Sequence, residues 1–140
     1  MSLIARAESA EDLASALTRF RDVIPEAAAD ITALITELFA VSTTLRELFR
    51  LHDDPRCERR YPIIVEDVQL TLYSLDYTFE DFRTLLGGLD RPGYLSNATN
   101  YRRVWRNILE HFQRESGDTL SRRLEICRAF LLQLKSELQG

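Results

Sequence analysis

The stretch "ITALITELFAVSTTLREL", residues 31–48, sets Ile31, Leu34, Leu38, Val41, Leu45 and Leu48 in an unbroken alternation of three and four residues. That spacing returns apolar groups to one face of a helix; a strand would need them at every second position. Upstream, Pro25 fits the first turn of this helix, where its missing N–H costs nothing. Downstream, Asp53-Asp54-Pro55 stops it after His52. Pro62 opens a third helix on the same logic, with Val65, Val68, Leu72, Leu75, Phe79, Phe82, Leu86 and Leu89 inward. Gly87-Gly88 and "DRPG" close it, since glycine tolerates the left-handed C-terminal position and proline cannot continue.

The remaining segments read the same way. A first helix is predicted from about Ser9 to Ile24, with Ser9 as N-cap, Asp12 completing a weak capping box, and Leu13, Leu17, Phe20 and Ile24 inward. A fourth spans about Asn100 to Glu115 and ends at Ser116-Gly117. Asp118 caps a fifth, with Leu120, Leu124, Cys127, Leu131, Leu134 and Leu138 inward. No strand alternation, internal repeat or low-complexity linker is present. The predicted fold is all-α: an up-and-down bundle of four to five helices with two long central helices, each about 40 Å long at roughly 1.5 Å per residue. Residues 1–140 form a single domain. Its last helix runs to Gly140, which suggests the N-terminal domain of a longer protein.

The net charge of −4 and pI near 5.2 argue against general polyanion binding. The charge is unevenly spread. Residues 1–60 carry eight basic and eleven acidic groups, residues 61–90 only Arg83 against six acids, and residues 91–140 nine basic groups against five acidic. Lys135 is the one lysine; every other cation is an arginine, suited to planar, bidentate contacts. No unbroken apolar run of 18 residues exists to span a membrane, and "MSLIARAESAEDL" is too polar for a signal peptide. Ser2 stands where myristoylation needs glycine. Cys57 and Cys127 form no C-x-x-C or paired framework, and Asn97-Ala98-Thr99 reads as capping chemistry rather than a used glycosylation sequon. The expected location is cytoplasmic.

Catalytic chemistry has little to build on. His52, Asp53 and Asp54 read as a helix end and a turn rather than a metal cluster. His111 lies at the edge of the fourth helix's core face, where a hydrogen-bonded structural histidine is expected. Cys57, in "PRCERR", has three arginines nearby that would favour a thiolate, against the plainer reading of an incidental loop cysteine; Cys127 falls on a core position. "GGLDRPG" lacks the lysine and spacing of a phosphate loop, and G-x-S-x-G and H-E-x-x-H are absent. The chain reads as non-catalytic, with no cofactor and no metal.

"NYRRVWRNILEHFQR", residues 100–114, sets aromatic rings among arginines as a nucleic-acid grip would. At about 100° per residue, however, Tyr101, Val104, Trp105, Ile108 and Phe112 share one arc, and Arg102, Arg103, Arg106 and Arg114 the opposite one. Base stacking needs rings exposed beside the cations, so no nucleic acid is expected as partner. Arg106, Glu110 and Arg114 are also spaced as an i, i+4 ion-pair chain.

The third helix carries a second apolar line. Leu70, Tyr73 and Tyr77 fall opposite its core stripe, with Glu66, Glu80 and Thr84 on the same arc and Asp76 and Asp81 flanking it. A helix apolar on two sides is either central in its bundle or keeps a surface for a partner. The candidate partner-binding residues are Leu70, Tyr73, Tyr77, Glu66, Glu80, Arg102 and Arg106. The acidic third helix and the arginines of the last helices either neighbour each other within one molecule or pair between molecules, giving a protein partner or a homo-oligomer. On the fifth helix Leu132 also points away from the leucine stripe.

Five stretches, "SLIARAESAEDLASALTRF", "ITALITELFAVSTTLREL", "LDYTFEDF", "YRRVWRNI" and "SGDTLSRRLEICRAFLLQL", resemble the N-terminal region of a family of uncharacterised proteins from filamentous fungi. The helix layout is more loosely similar to the helical N-terminal domains of fungal NLR-like STAND proteins, which implies recruiting partners or disrupting membranes. Membrane-attacking versions begin with a strongly apolar helix, whereas the first helix here contains Glu11, Asp12, Arg19, Arg21 and Asp22. The expected function is an interaction or adaptor module, with a membrane-binding or membrane-perturbing domain of the fungal cell-death type as the alternative.

Overall fold

The structure, a computed structural model, describes residues 2–87, 98–117 and 119–140, the side chain of Ser116 excepted. Leu89, Gly88, the "DRPG" segment, Asn97 of the sequon and the predicted cap Asp118 lie outside the described residues. The chain forms five α-helices: α1 Leu3–Val23, α2 Ala28–His52, α3 Tyr61–Leu86, α4 Ala98–Ser116 and α5 Leu120–Gln139. The fold is an all-α bundle, with no strand among the described residues.

Three helix starts differ from expectation. The first helix begins at Leu3 rather than Ser9, because the Ser2 side chain accepts a hydrogen bond from the Ala5 amide and so caps it. Its buried face extends through Leu3, Ala7 and Ala10, where small alanines give a weak periodic signal but let α1 approach α2 closely. Pro25 opens a short 3-10 turn, Pro25–Ala27, instead of the first α-turn. Thr119 caps α5, its hydroxyl accepting from the Arg122 amide.

The inward stripes fall where three-four spacing puts them. Leu13, Leu17, Phe20 and Ile24, then Ile31 to Leu48 on α2, Val68 to Leu86 on α3, and Leu131, Leu134 and Leu138 on α5 are buried; Val65 and Cys127 are partly so. Around the core the long helices run α1, α2, α5, α3, and α3 closes the ring on α1. Ion pairs fix their directions. Leu3 and Ile4 share a cleft with Phe49 and His52, while Glu11, further along α1, meets Ser42 and Arg46, so α1 and α2 are antiparallel. Arg128 pairs with Glu37 and Lys135 with Glu47, so α2 and α5 are parallel. Arg123 donates to Thr78, and Cys127 lies by Ser74, so α5 and α3 are antiparallel. The two longest helices, α2 and α3, therefore sit on a diagonal and hardly touch along their lengths.

The fourth helix lies across one end of this ring. Its Tyr101 ring meets Phe20 of α1 edge-on at 4.7 Å, Arg102 pairs with Glu26, and His111 reaches Asp81 of α3. Trp105, Ile108 and Phe112 close the core there. At the opposite end Arg60 donates to the Leu138 carbonyl, satisfying a last-turn acceptor of α5.

Pro25–His52 is in fact long and apolar enough to cross a membrane, by length and composition. A search for an unbroken apolar run misses it because Asp30 and Glu37 interrupt the stretch. In the bundle its apolar stripe packs against α1 and α5.

Candidate functional site

The second apolar line of α3 lies on the surface. Leu70 is 66% exposed, Tyr73 59% and Tyr77 72%. The line also begins earlier than its tyrosines suggest, since Ile63, in the first turn of the helix, is 79% exposed. Ile63, Glu66, Leu70, Tyr73, Tyr77, Glu80 and Thr84 thus alternate by three and four along the full outer side of α3, all exposed. This is the spacing a facing helix reads. The neighbours of α3 explain why the line is exposed: α5 and α1 cover its two flanks and α4 its C-terminal end, leaving one side without a partner helix among the described residues.

The patch continues onto α5. The Ser74 to Cys127 approach at 4.0 Å and the Arg123 to Thr78 bond at 2.9 Å set the register of the two helices. That register brings Ile126 and Phe130, 48% and 44% exposed, alongside the stretch of α3 that carries Leu70 and Tyr77. Neither was singled out from sequence. The signal was there, as an i, i+4 apolar pair off the leucine stripe of α5. Leu132, which was singled out, leans towards α2 instead and is 38% exposed.

Electrostatics separate the candidate residues. Asp76 is held by Arg6 of α1 in a bidentate pair, and Asp81 faces His111. Glu66, Asp67 and Glu80 form no ion pair among the described residues. On α4, Arg102 is paired with Glu26, and the guanidinium holds that carboxyl below the usual range. Arg103 and Arg106 are exposed and without an ion pair among the described residues; the expected Arg106–Glu110–Arg114 chain is replaced by a bond from Arg114 to the Glu110 carbonyl. Among the described residues, the acidic residues of α3 form no ion pair with the arginines of the last two helices. Arg122 pairs with Glu125, Arg123 with Glu115 and Arg128 with Glu37.

The rings of α4 point inward, as its geometry requires: Tyr101, Trp105 and Phe112 are buried, while Arg102, Arg103, Arg106 and Arg114 are exposed. Bases would find no ring to stack on beside those arginines.

His111 joins a cluster of a different kind. Its Nε2 lies 2.8 Å from Glu115 Oε2 and 3.3 Å from Asp81 Oδ2, and the three ligand-type atoms all lie within 4.8 Å of one another. One cation could reach all three. The positive charge already present is that of Arg123, whose Nη1 lies 3.8 Å from Glu115 Oε1 and whose guanidinium stacks over the Phe112 ring. The cluster fastens α4 to α3 and α5. His52 approaches Asp53 and stacks edge-on against Tyr61, whereas Asp54 turns to Arg56, so these three do not converge on a metal. Cys57 is buried rather than presented on its loop, and burial pushes the Cys127 thiol up, away from thiolate chemistry. Compared with models of protein families, with curated proteins and with solved structures, the chain matches none.

Proposed function

We propose that this domain is a non-catalytic, intracellular protein–protein interaction module that docks a partner, or another copy of itself, through the outer side of α3. One observation carries the reading: four large apolar side chains, Ile63, Leu70, Tyr73 and Tyr77, stand exposed on one helix at partner-helix spacing, beside three carboxylates without ion pairs among the described residues. Single exposed apolar residues are ordinary, but a contiguous row is not. Tyrosine favours such a role because it gives large contact area at little entropic cost and is enriched among residues that dominate binding energy. The resemblance to fungal domains that recruit partners points the same way.

The experiment is a double substitution, Tyr73→Ser with Tyr77→Ser. Association, with itself or with a captured partner, should weaken while the melting temperature stays nearly unchanged. Unaltered association, or a loss of several kcal/mol of stability, would defeat the proposal. The alternative is a membrane-binding domain, favoured by the apolar length of Pro25–His52. Salt-sensitive co-sedimentation with anionic vesicles would support it.

A further inference from the structure

Resting on that reading, we infer that the occupant of the α3 face is the outer side of α4 from a second copy, with Arg103 and Arg106 set against the tyrosines and free carboxylates.

The free charges are complementary and lie on different parts of the molecule. Glu66, Asp67 and Glu80 surround the apolar row of α3, while Arg103, Arg106 and Arg114, with Glu110 as the one acid on the same arc, stand on α4 across the end of the bundle. Among the described residues neither set pairs with the other within one molecule. A symmetric antiparallel contact of α3 with its own copy centred on Tyr73 sets Glu66 against Glu80, and a parallel one sets each row's carboxylates against their own copies, which disfavours both. The contact is therefore between two different faces, which builds a ring or an open chain of molecules rather than a closed dimer.

The outer side of α4 also has the shape and chemistry for tyrosine. Arginine pairs bidentately with carboxylates and stacks on aromatic faces, and lysine does neither as well. Leu109, 41% exposed, follows Arg106 on the same side. Beside it runs a shallow, largely apolar cleft lined by Asp30, Leu109, Glu110, Gln113, Arg114 and Thr119. A tyrosine edge from the facing copy fits there, with Asp30 available to accept from its hydroxyl. Arg102, tied to Glu26, stays out of the contact. One helix face on another buries little area, below about 1,200 Å², which places the contact among weak, concentration-dependent ones.

Charge reversal on the full chain tests this. Sedimentation velocity over a concentration series should show wild type growing into species larger than a monomer. Arg103→Glu with Arg106→Glu, and separately Glu66→Arg with Glu80→Arg, should each remain monomeric while keeping wild-type helicity and melting temperature. Mixing the two variants should restore association, because the intact α3 face of one meets the intact α4 face of the other and the two reversed faces are complementary. A monomeric wild type, association that survives the α4 reversal, or no recovery on mixing would overturn self-docking. If wild type is monomeric but a captured partner is lost on Tyr73→Ser with Tyr77→Ser, only the second-copy assignment falls. If the tyrosine substitutions change no association at all, the docking reading itself falls.

Discussion

Leu75 and Tyr77 are two residues apart on α3 and face opposite ways, so truncating each in turn tests the phase of the helix. Leu75 is fully buried between the flanking helices, and Leu75→Ala removes three carbons from it. At about 0.8 kcal/mol per buried methylene the transfer loss alone is roughly 2.4 kcal/mol. An incompletely collapsed cavity raises this into the range of about 2–5 kcal/mol seen for buried leucines. For a chain of this size that is a fall in melting temperature of roughly 10 °C. Tyr77 is 72% exposed. Serine and tyrosine have similar helix propensities, so Tyr77→Ser should cost less than about 0.5 kcal/mol. Urea denaturation followed by circular dichroism gives both values from midpoints at constant slope. A Leu75→Ala loss under about 1 kcal/mol, or a Tyr77→Ser loss above about 2 kcal/mol, would show that the outer side of α3 is wrongly assigned.

Two further outcomes probe the joints of the bundle. Glu11 accepts from Arg46 and Ser42, which hold its carboxyl below the usual glutamate range. A carboxyl depressed in the folded state adds stability above its unfolded pKa, near about 4.3, and loses it as pH falls through the folded value. Glu11→Gln should therefore melt below wild type at neutral pH and converge with it in acid; a gap that stays constant through that window would contradict the contact. At the end of α3, Gly87 has φ 59° and ψ −127°, and a β-carbon there would meet no atom within 4 Å. Gly87→Ala should then cost about 1–3 kcal/mol through backbone strain alone, and equal thermal melts would contradict that conformation.

Most of the helical architecture was legible because leucine and isoleucine at three-four spacing carry the phase of α2, α3 and α5 directly. The start of α1 was less so. Ala7 and Ala10 are fully buried, yet alanine suits either side of a helix, so the first apolar turn gave no contrast against Ser9. The order of helices around the core was not legible at all. Short connections suggest neighbours, but the α2–α3 connection crosses to the diagonal, and which helices touch depends on how four stripes share one core. The candidate site was half legible for a related reason. Leu70, Tyr73 and Tyr77 announce themselves as a second stripe, whereas Ile126 and Phe130 become part of the same surface only once the α3–α5 register is fixed.

Charge shows most plainly what a linear reading lacks. Counting places an acidic excess in residues 61–90 and a basic one after residue 91, and the two invite pairing. The fold distributes them otherwise. Asp76 is taken by Arg6, seventy positions earlier, Arg102 by Glu26, and Arg128 and Lys135 by acids of α2. Surface pairs of this kind each contribute no more than about 1 kcal/mol, and geometry rather than abundance selects them. What remains unpaired is therefore the more informative set. Among the described residues that form no ion pair are Glu66, Asp67 and Glu80 around the tyrosines of α3, and Arg103 and Arg106 beside Leu109, on two separate faces of the molecule. Exposed charges cost the monomer little in water, so their arrangement is free to serve encounter and register with a second molecule.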